Sequence, residues 1–168
     1  MPNRLWMACI AVLFIAGCAS YDGRGLVPGT SRAADVRALM GEPAEKLAAD
    51  NGDTVWFYPR LPYGRQTYAV RLSPDGVVLG VDQRLTEANL KHIVAGKTTM
   101  KEARLLLGPP FQTVRFERQR RVVWDYPMYN DFQAEYNLFV QFSYDGIVRE
   151  VLLLKDYHNE PGDGEAKP

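Results

Sequence analysis

Apolar positions along this chain switch from helical spacing to alternation in a fixed order, and that order occurs twice. In the second half, Leu90, Ile93 and Val94 recur at helical spacing over residues 86–94, and Ala95-Gly96 ends the segment. Thr99-Met-Lys-Glu102 is a capping-box pattern, so a second helix is predicted to begin there. Its apolar face is Met100, Ala103, Leu106 and Leu107, and Gly108 followed by two prolines stops it. Alternation then predicts strands over 112–117, 122–126, 136–142 and 147–154. The first half repeats the scheme, with a helix over 31–40 that turns Val36, Leu39 and Met40 inward. Strands follow over 44–48, 54–58, 66–72 and 77–82, with Asn51-Gly52 and Pro74-Asp75-Gly76 as the turns between them.

The residues themselves repeat as well. Residues 26–43 match residues 93–110 at a constant offset of 67, with Val27/Val94, Gly29/Gly96, Arg37/Arg104, Leu39/Leu106, Gly41/Gly108 and Pro43/Pro110 identical. The offset grows to 68 where Val55-Trp-Phe-Tyr-Pro59 meets Val123-Trp-Asp-Tyr-Pro127. It reaches 70 where Ser73, Asp75, Gly76 and Val78 meet Ser143, Asp145, Gly146 and Val148. Growth only between matching blocks places the extra residues in turns and keeps the packed elements, so the unit is a supersecondary element of roughly 60 residues. Helices followed by strands imply an α+β class: in each copy the helices pack on one face of an antiparallel meander, and the copies share a sheet edge or a helix layer. The copies are unequal, since residues 19–26 contain two glycines and no apolar stripe where the second copy has its first helix.

The first residues read as an address. Arg4 supplies a positive start and residues 5–16 carry no charge, a run too short to span a bilayer as a lasting helix. Ile15-Ala16-Gly17-Cys18 is similar to a bacterial lipobox, in which the cysteine is acylated and becomes the new N-terminus. Acyl chains at ~0.8 kcal/mol per buried CH₂ anchor a protein durably. By the sorting rule of enterobacterial lipoproteins, Ala19 after the cysteine implies the outer membrane. The organisation that follows is a signal peptide over 1–17, an acylated N-terminus and tether over 18–28, repeats over 29–85 and 86–156, and a disordered tail over 157–168, which contains no large aliphatic residue.

Charge and chemistry narrow the function. The chain has 20 basic and 20 acidic residues, a balance that points to no nucleic-acid partner. Its two cysteines are Cys9, in the signal segment, and Cys18, so the mature domain has no thiol for a disulfide or a metal. Of the two histidines, His92 falls in a predicted helix, away from the apolar stripe, and His158 in the tail. No nucleophile elbow, phosphate loop or metalloprotease motif accompanies them, and no enzyme, cofactor or metal is expected.

The motif order G-x-T, hydrophobic ladder, L-G-x-P, W-x-Y and D-G resembles the BamE (SmpA/OmlA) family of small outer-membrane lipoproteins that accompany β-barrel assembly. The second copy carries it as Gly96, Thr98 or Thr99, Leu107-Gly-Pro-Pro110, Trp124-Asp-Tyr126 and Asp145-Gly146. The first carries it as Gly29, Met40-Gly-Glu-Pro43, Trp56-Phe-Tyr58 and Asp75-Gly76. BamE proteins carry one unit, and a tandem of two resembles the β-lactamase inhibitor protein. The resemblance implies a protein-binding or scaffold module in envelope or outer-membrane assembly, with an inhibitor-type module acting on an envelope enzyme as the alternative.

Three groups of residues are candidate contacts. Trp56/Tyr58 and Trp124/Tyr126 each face one side of a strand, either packed under the helices or lining a binding face. Tyr129, Phe132 and Tyr136 crowd one inter-strand connection, whose shorter counterpart holds Tyr63. Aromatics in such a loop suit either packing or partner binding. Arg115, Arg118, Arg120 and Arg121 gather at a hairpin tip whose counterpart, Asp50-Asn-Gly-Asp53, is acidic. That tip suits an anionic lipid surface or an acidic partner.

Overall fold

The computed structural model describes residues 20–156. The chain runs α1 (Ala33–Met40), β1 (Glu45–Ala48), β2 (Thr54–Pro59), β3 (Thr67–Leu72) and β4 (Val78–Gln83), then α2 (Glu87–Leu90), α3 (Met100–Leu107), β5 (Gln112–Phe116), β6 (Arg121–Tyr129), β7 (Glu135–Ser143) and β8 (Val148–Lys155). The strands form two separate antiparallel sheets in sequential order, β1-β2-β3-β4 and β5-β6-β7-β8. Both carry a bulge at the same place in the repeat, at Arg71/Leu72 and at Gln141/Phe142.

This corrects the α+β expectation. Helix makes up 15% and strand 42% of the structure, so the fold is two four-stranded sheets with few helices. Two physical causes reduce the helices. Gly41 (φ 80°) and Gly108 (φ 83°) end α1 and α3 after eight residues each, in backbone that L side chains avoid. The helix expected over 86–94 is a single turn, Glu87–Leu90. There Thr86 Oγ1 accepts from Asn89 N, and Asn89 Nδ2 donates to the Arg84 carbonyl, which ties the segment to the preceding joint. The two repeats also share no sheet edge.

Several identities between the copies have a structural job. The backbone N–H of Gly29 donates to Val78 O and that of Gly96 to Val148 O, both at 2.8 Å. The first helical N–H groups, of Ala33 and Met100, donate to the carbonyls of Gly76 and Gly146 in the Asp-Gly turns. Each helix start is thereby fastened to the last hairpin of its own sheet, which satisfies donors that a helix leaves open. Thr99 and Glu102 complete the predicted capping box on α3, with Thr99 N donating to Glu102 Oε2 at 2.7 Å. At the other end, the Tyr58 hydroxyl donates to Gly41 O at 3.1 Å and the Tyr126 hydroxyl to Gly108 O at 2.9 Å. Burial pushes the Tyr58 hydroxyl up to about 12, and it raises Tyr126 as well, so both stay protonated donors throughout the neutral range.

The cores are layered. On one face of the first sheet, Trp56, Tyr58, Val70, Leu72 and Val78 bury Val36 and Met40 of α1. The second sheet does the same to Ala103 and Leu107 of α3 with Trp124, Tyr126, Met128, Leu138, Val140, Phe142 and Val148. The layers are joined by Leu105, which points to the opposite side of α3 and packs on Val55, Phe57, Ala69 and Leu47, the back of the first sheet. Arg104 pairs with Glu45 at 2.9 Å and Lys101 with Asp50 at 2.6 Å along the same seam. Farther along, Arg65 of the β2–β3 loop is buried and reaches Asp156 (2.5 Å), Glu135 (3.0 Å) and the Tyr136 carbonyl (3.2 Å) in the second repeat.

Gly108 and Gly41 provide a matched test of that seam. Their backbone angles agree, but a Cβ on Gly108 would lie 2.7 Å from Phe57 and 2.9 Å from Thr67, whereas one on Gly41 meets nothing within 4 Å. Both alanine substitutions incur the backbone strain, of order 1–3 kcal/mol. Gly108→Ala adds an overpacking cost of about 1–3 kcal/mol. Urea unfolding should rank Gly108→Ala clearly below Gly41→Ala; equal midpoints would show that the seam yields freely.

Candidate functional site

The Trp/Tyr pairs are internal. Trp56, Tyr58, Trp124 and Tyr126 are all buried beneath the helices. Each tryptophan also meets the guanidinium of its own helix, Arg37 at 4.6 Å from Trp56 and Arg104 at 5.3 Å from Trp124. Lys46 Nζ lies 4.6 Å from the Trp56 ring as well. These rings serve packing, and the candidate contact residues lie elsewhere.

The aromatic connection divides into inward and outward members. Tyr136, on β7, is half-buried and packs against the second core. Tyr129, at the end of β6, is half-buried too, and with Gln66, Gln83, Leu85 and Gln133 it lines a cavity of about 290 Å³ at the junction of the repeats. Phe132, by contrast, is 89% exposed. Its loop is ordered from below: Asn130 Oδ1 accepts from Phe132 N at 3.0 Å and from Ala134 N at 2.8 Å, and Glu87 Oε1 accepts from Asp131 N at 3.2 Å. Gln133 takes φ 61°, turning the chain back into β7. An apolar ring is thus held in water on a tightly bonded turn. Tyr63 is 93% exposed at the β2–β3 loop. It is two residues from the buried Arg65, the clamp between repeats that the sequence reading did not single out. A lone arginine in a Pro-Tyr-Gly loop carries no periodic signal that would have revealed it.

The four tip arginines occupy one hairpin but not one role. Arg115 is on β5, exposed along its whole length, Arg118 is in the turn, and Arg121 opens β6. Arg120 takes φ 51° and stacks over Tyr144, 5.7 Å from the ring centroid. The Tyr144 hydroxyl meanwhile donates to Glu117, which raises its pKa. None of the four arginines forms an ion pair with another described residue, so their charge is available to an external anion.

Among the described residues, Asp125 is the acid with a buried, unsatisfied oxygen. It stands on β6 opposite Phe139, its Oδ1 is buried without a hydrogen-bond partner, and burial holds its pKa above the usual carboxylate range. Nearby Asp156 raises it further, while Arg65 lowers it. No group of three or more His, Cys, Asp or Glu residues suited to a metal occurs among the described residues. Cys18, the lipidation candidate, and His158 lie outside the described residues.

No protein-family model matches this chain, and no curated protein does. Among solved structures it is similar to the crystal structure of a DUF4309 family protein (YjgB) from Bacillus subtilis subsp. subtilis str. 168. The sequence identity is 21% and the TM-score 0.30, over 79% of this chain and 84% of that one. A likeness that loose transfers nothing to this chain.

The arginine tip makes a direct prediction. Replacing Arg118, Arg120 and Arg121 by Ser should weaken sedimentation with phosphatidylserine vesicles by about 1 kcal/mol per arginine in contact. Stability should fall by no more than the exposed Arg120–Tyr144 stack contributes, about 0.5–1 kcal/mol, because no ion pair with a described residue is lost. A larger fall in melting temperature would instead assign the arginines to the fold.

Proposed function

We propose that this chain is an outer-membrane-anchored lipoprotein whose periplasmic domain binds protein, as a scaffold or accessory module in envelope or outer-membrane assembly. Anchoring rests on the lipobox-like residues 15–18, and the family context on the BamE-like order of motifs in both repeats. The observation that carries the binding reading is Phe132, a ring 89% exposed on a loop that its own hydrogen bonds hold in place. Burying such a ring in a partner contributes about 1.5–3 kcal/mol, with little ordering cost where the loop is already set. Acylation confines the search for that partner to the membrane plane and raises its effective concentration. The inhibitor-type alternative calls for aromatics gathered on an open sheet face; the four Trp/Tyr ring positions that would supply them are internal, so the loop reading is the stronger.

Two experiments test the two halves of this reading. Cys18→Ser should move the protein from the membrane fraction to the soluble periplasmic fraction, and unchanged membrane association would sink the anchor. A photo-crosslinker placed at Phe132 should trap one defined envelope protein, whereas the same probe at exposed Asn51 should not. A ladder of random neighbours from both sites would count against a binding loop.

A further inference from the structure

The two sheets share one register, but among the described residues only the first has both faces covered. Behind the first sheet, Val55, Phe57 and Ala69 are 5%, 0% and 0% exposed, because α3 lies on them. The corresponding positions on the second sheet are Val123, Asp125 and Phe139, and no described element packs there. They share a face with Val114 and Phe116 on β5 and with Leu152 and Leu154 on β8, through the pairs Val114↔Val123, Asp125↔Phe139, Phe139↔Leu152 and Asn137↔Leu154. Val114, Phe116 and Leu154 are 36%, 45% and 52% exposed. This is an apolar band on a face whose twin, one repeat away, is dry.

The internal seam shows what such a face accepts. It takes a helix that presents Leu105 to the sheet and whose charged side chains answer the adjacent hairpin, Lys101 to Asp50 and Arg104 to Glu45. On the second sheet that hairpin has the opposite sign: Asp50 and Asp53 give way to Arg118 and Arg121, and Glu45 to Gln112. In the place of Phe57 stands Asp125, whose Oδ1 is already buried within the sheet. A second copy of this chain does not suit this face. The free side of α1 presents Ala34 and Ala38 where α3 presents Lys101 and Leu105, so it has neither the apolar ridge nor an acid for the arginines.

We propose that the open face of the second sheet, centred on Val123, Phe139 and Leu152, docks an amphipathic helix of a partner protein, with its apolar ridge on the sheet and acidic residues in the turn nearest Arg118 and Arg121. The partner helix takes the place that a third repeat's helix would take, with the charges of the seam exchanged. This deepens the protein-binding reading above and rests on it, adding a surface and the chemistry of its occupant to the Phe132 loop.

The test uses two stapled helical peptides with the same leucine ridge, one with glutamates and one with lysines in its first turn. Each is titrated into the full-length chain in zwitterionic micelles while Val and Leu methyl spectra are recorded, with micelles alone as the blank. The acidic peptide should shift the methyl signals of Val114, Val123, Leu152 and Leu154 and bind about tenfold or more tightly than the basic one. Arg118→Glu with Arg121→Glu should reverse that preference. Phe139→Ser should abolish binding; if it unfolds the protein, the charge-reversal pair still decides, because neither arginine forms an ion pair with a described residue. Equal affinities, a preference that survives the reversal, or no methyl shift would overturn the proposal. Binding that Phe132→Ala abolishes while the four methyl signals stay unmoved would also overturn it, while leaving the protein-binding reading in place.

Discussion

Everything in this fold depends on α3 being apolar on two sides. Ala103 and Leu107 face the second sheet, Leu105 faces the back of the first, and Gly108 lets Phe57 approach the helix end without a Cβ between them. A two-turn helix has little stability of its own in water. Here it is held by burial on both sides, with fully buried Leu107 contributing about 1.5–3 kcal/mol and half-buried Leu105 less. Without that contact the first sheet would expose Val55, Phe57 and Ala69, and the molecule would separate into two small repeats, each with a marginal core. Arg65 fastens the far end of the same joint. Its ion pair with Asp156 is buried, so losing either partner alone would leave an uncompensated charge.

The layered order, helix, sheet, helix, sheet, makes the molecule polar from end to end. The first repeat gives its back face to α3 and its hairpin Asp50 to Lys101. On the second repeat no described element covers the sheet back, the hairpin arginines form no ion pair with a described residue, and the longer β6–β7 loop holds Phe132 out in water. The same elements that make the internal joint are thus exposed on the second repeat.

Much of this was legible in residue order. The repeat offset, the capping box at Thr99, the Asp-Gly turns and the alternation of strands all depend on neighbours within a few residues, and the eight strands lie where alternation puts them. The helices were over-read. Leu90, Ile93 and Val94 keep helical spacing, but Asn89 bonds back to the Arg84 carbonyl and only one turn forms. The clearest missed signal was Arg104-Leu-Leu-Leu-Gly108 beside Arg37-Ala-Leu-Met-Gly41. Leucine at 105 where the first copy has Ala38 marks a helix buried on a second side, and only one copy has it.

What the sequence by itself determined is the unit: its elements, its turns and the residues that fasten each helix to its own sheet. Those interactions are local or lie within one repeat, and pattern reports them. Which tyrosine or tryptophan is core, which arginine is a clamp and which sheet face remains open were decided only by the packing of one repeat on the other. Two copies of nearly the same pattern receive different neighbours, and burial belongs to the neighbour as much as to the residue. Val55 and Val123 have the same place in the repeat and the same side chain; one is dry and the other half-exposed because α3 lies over only one of them.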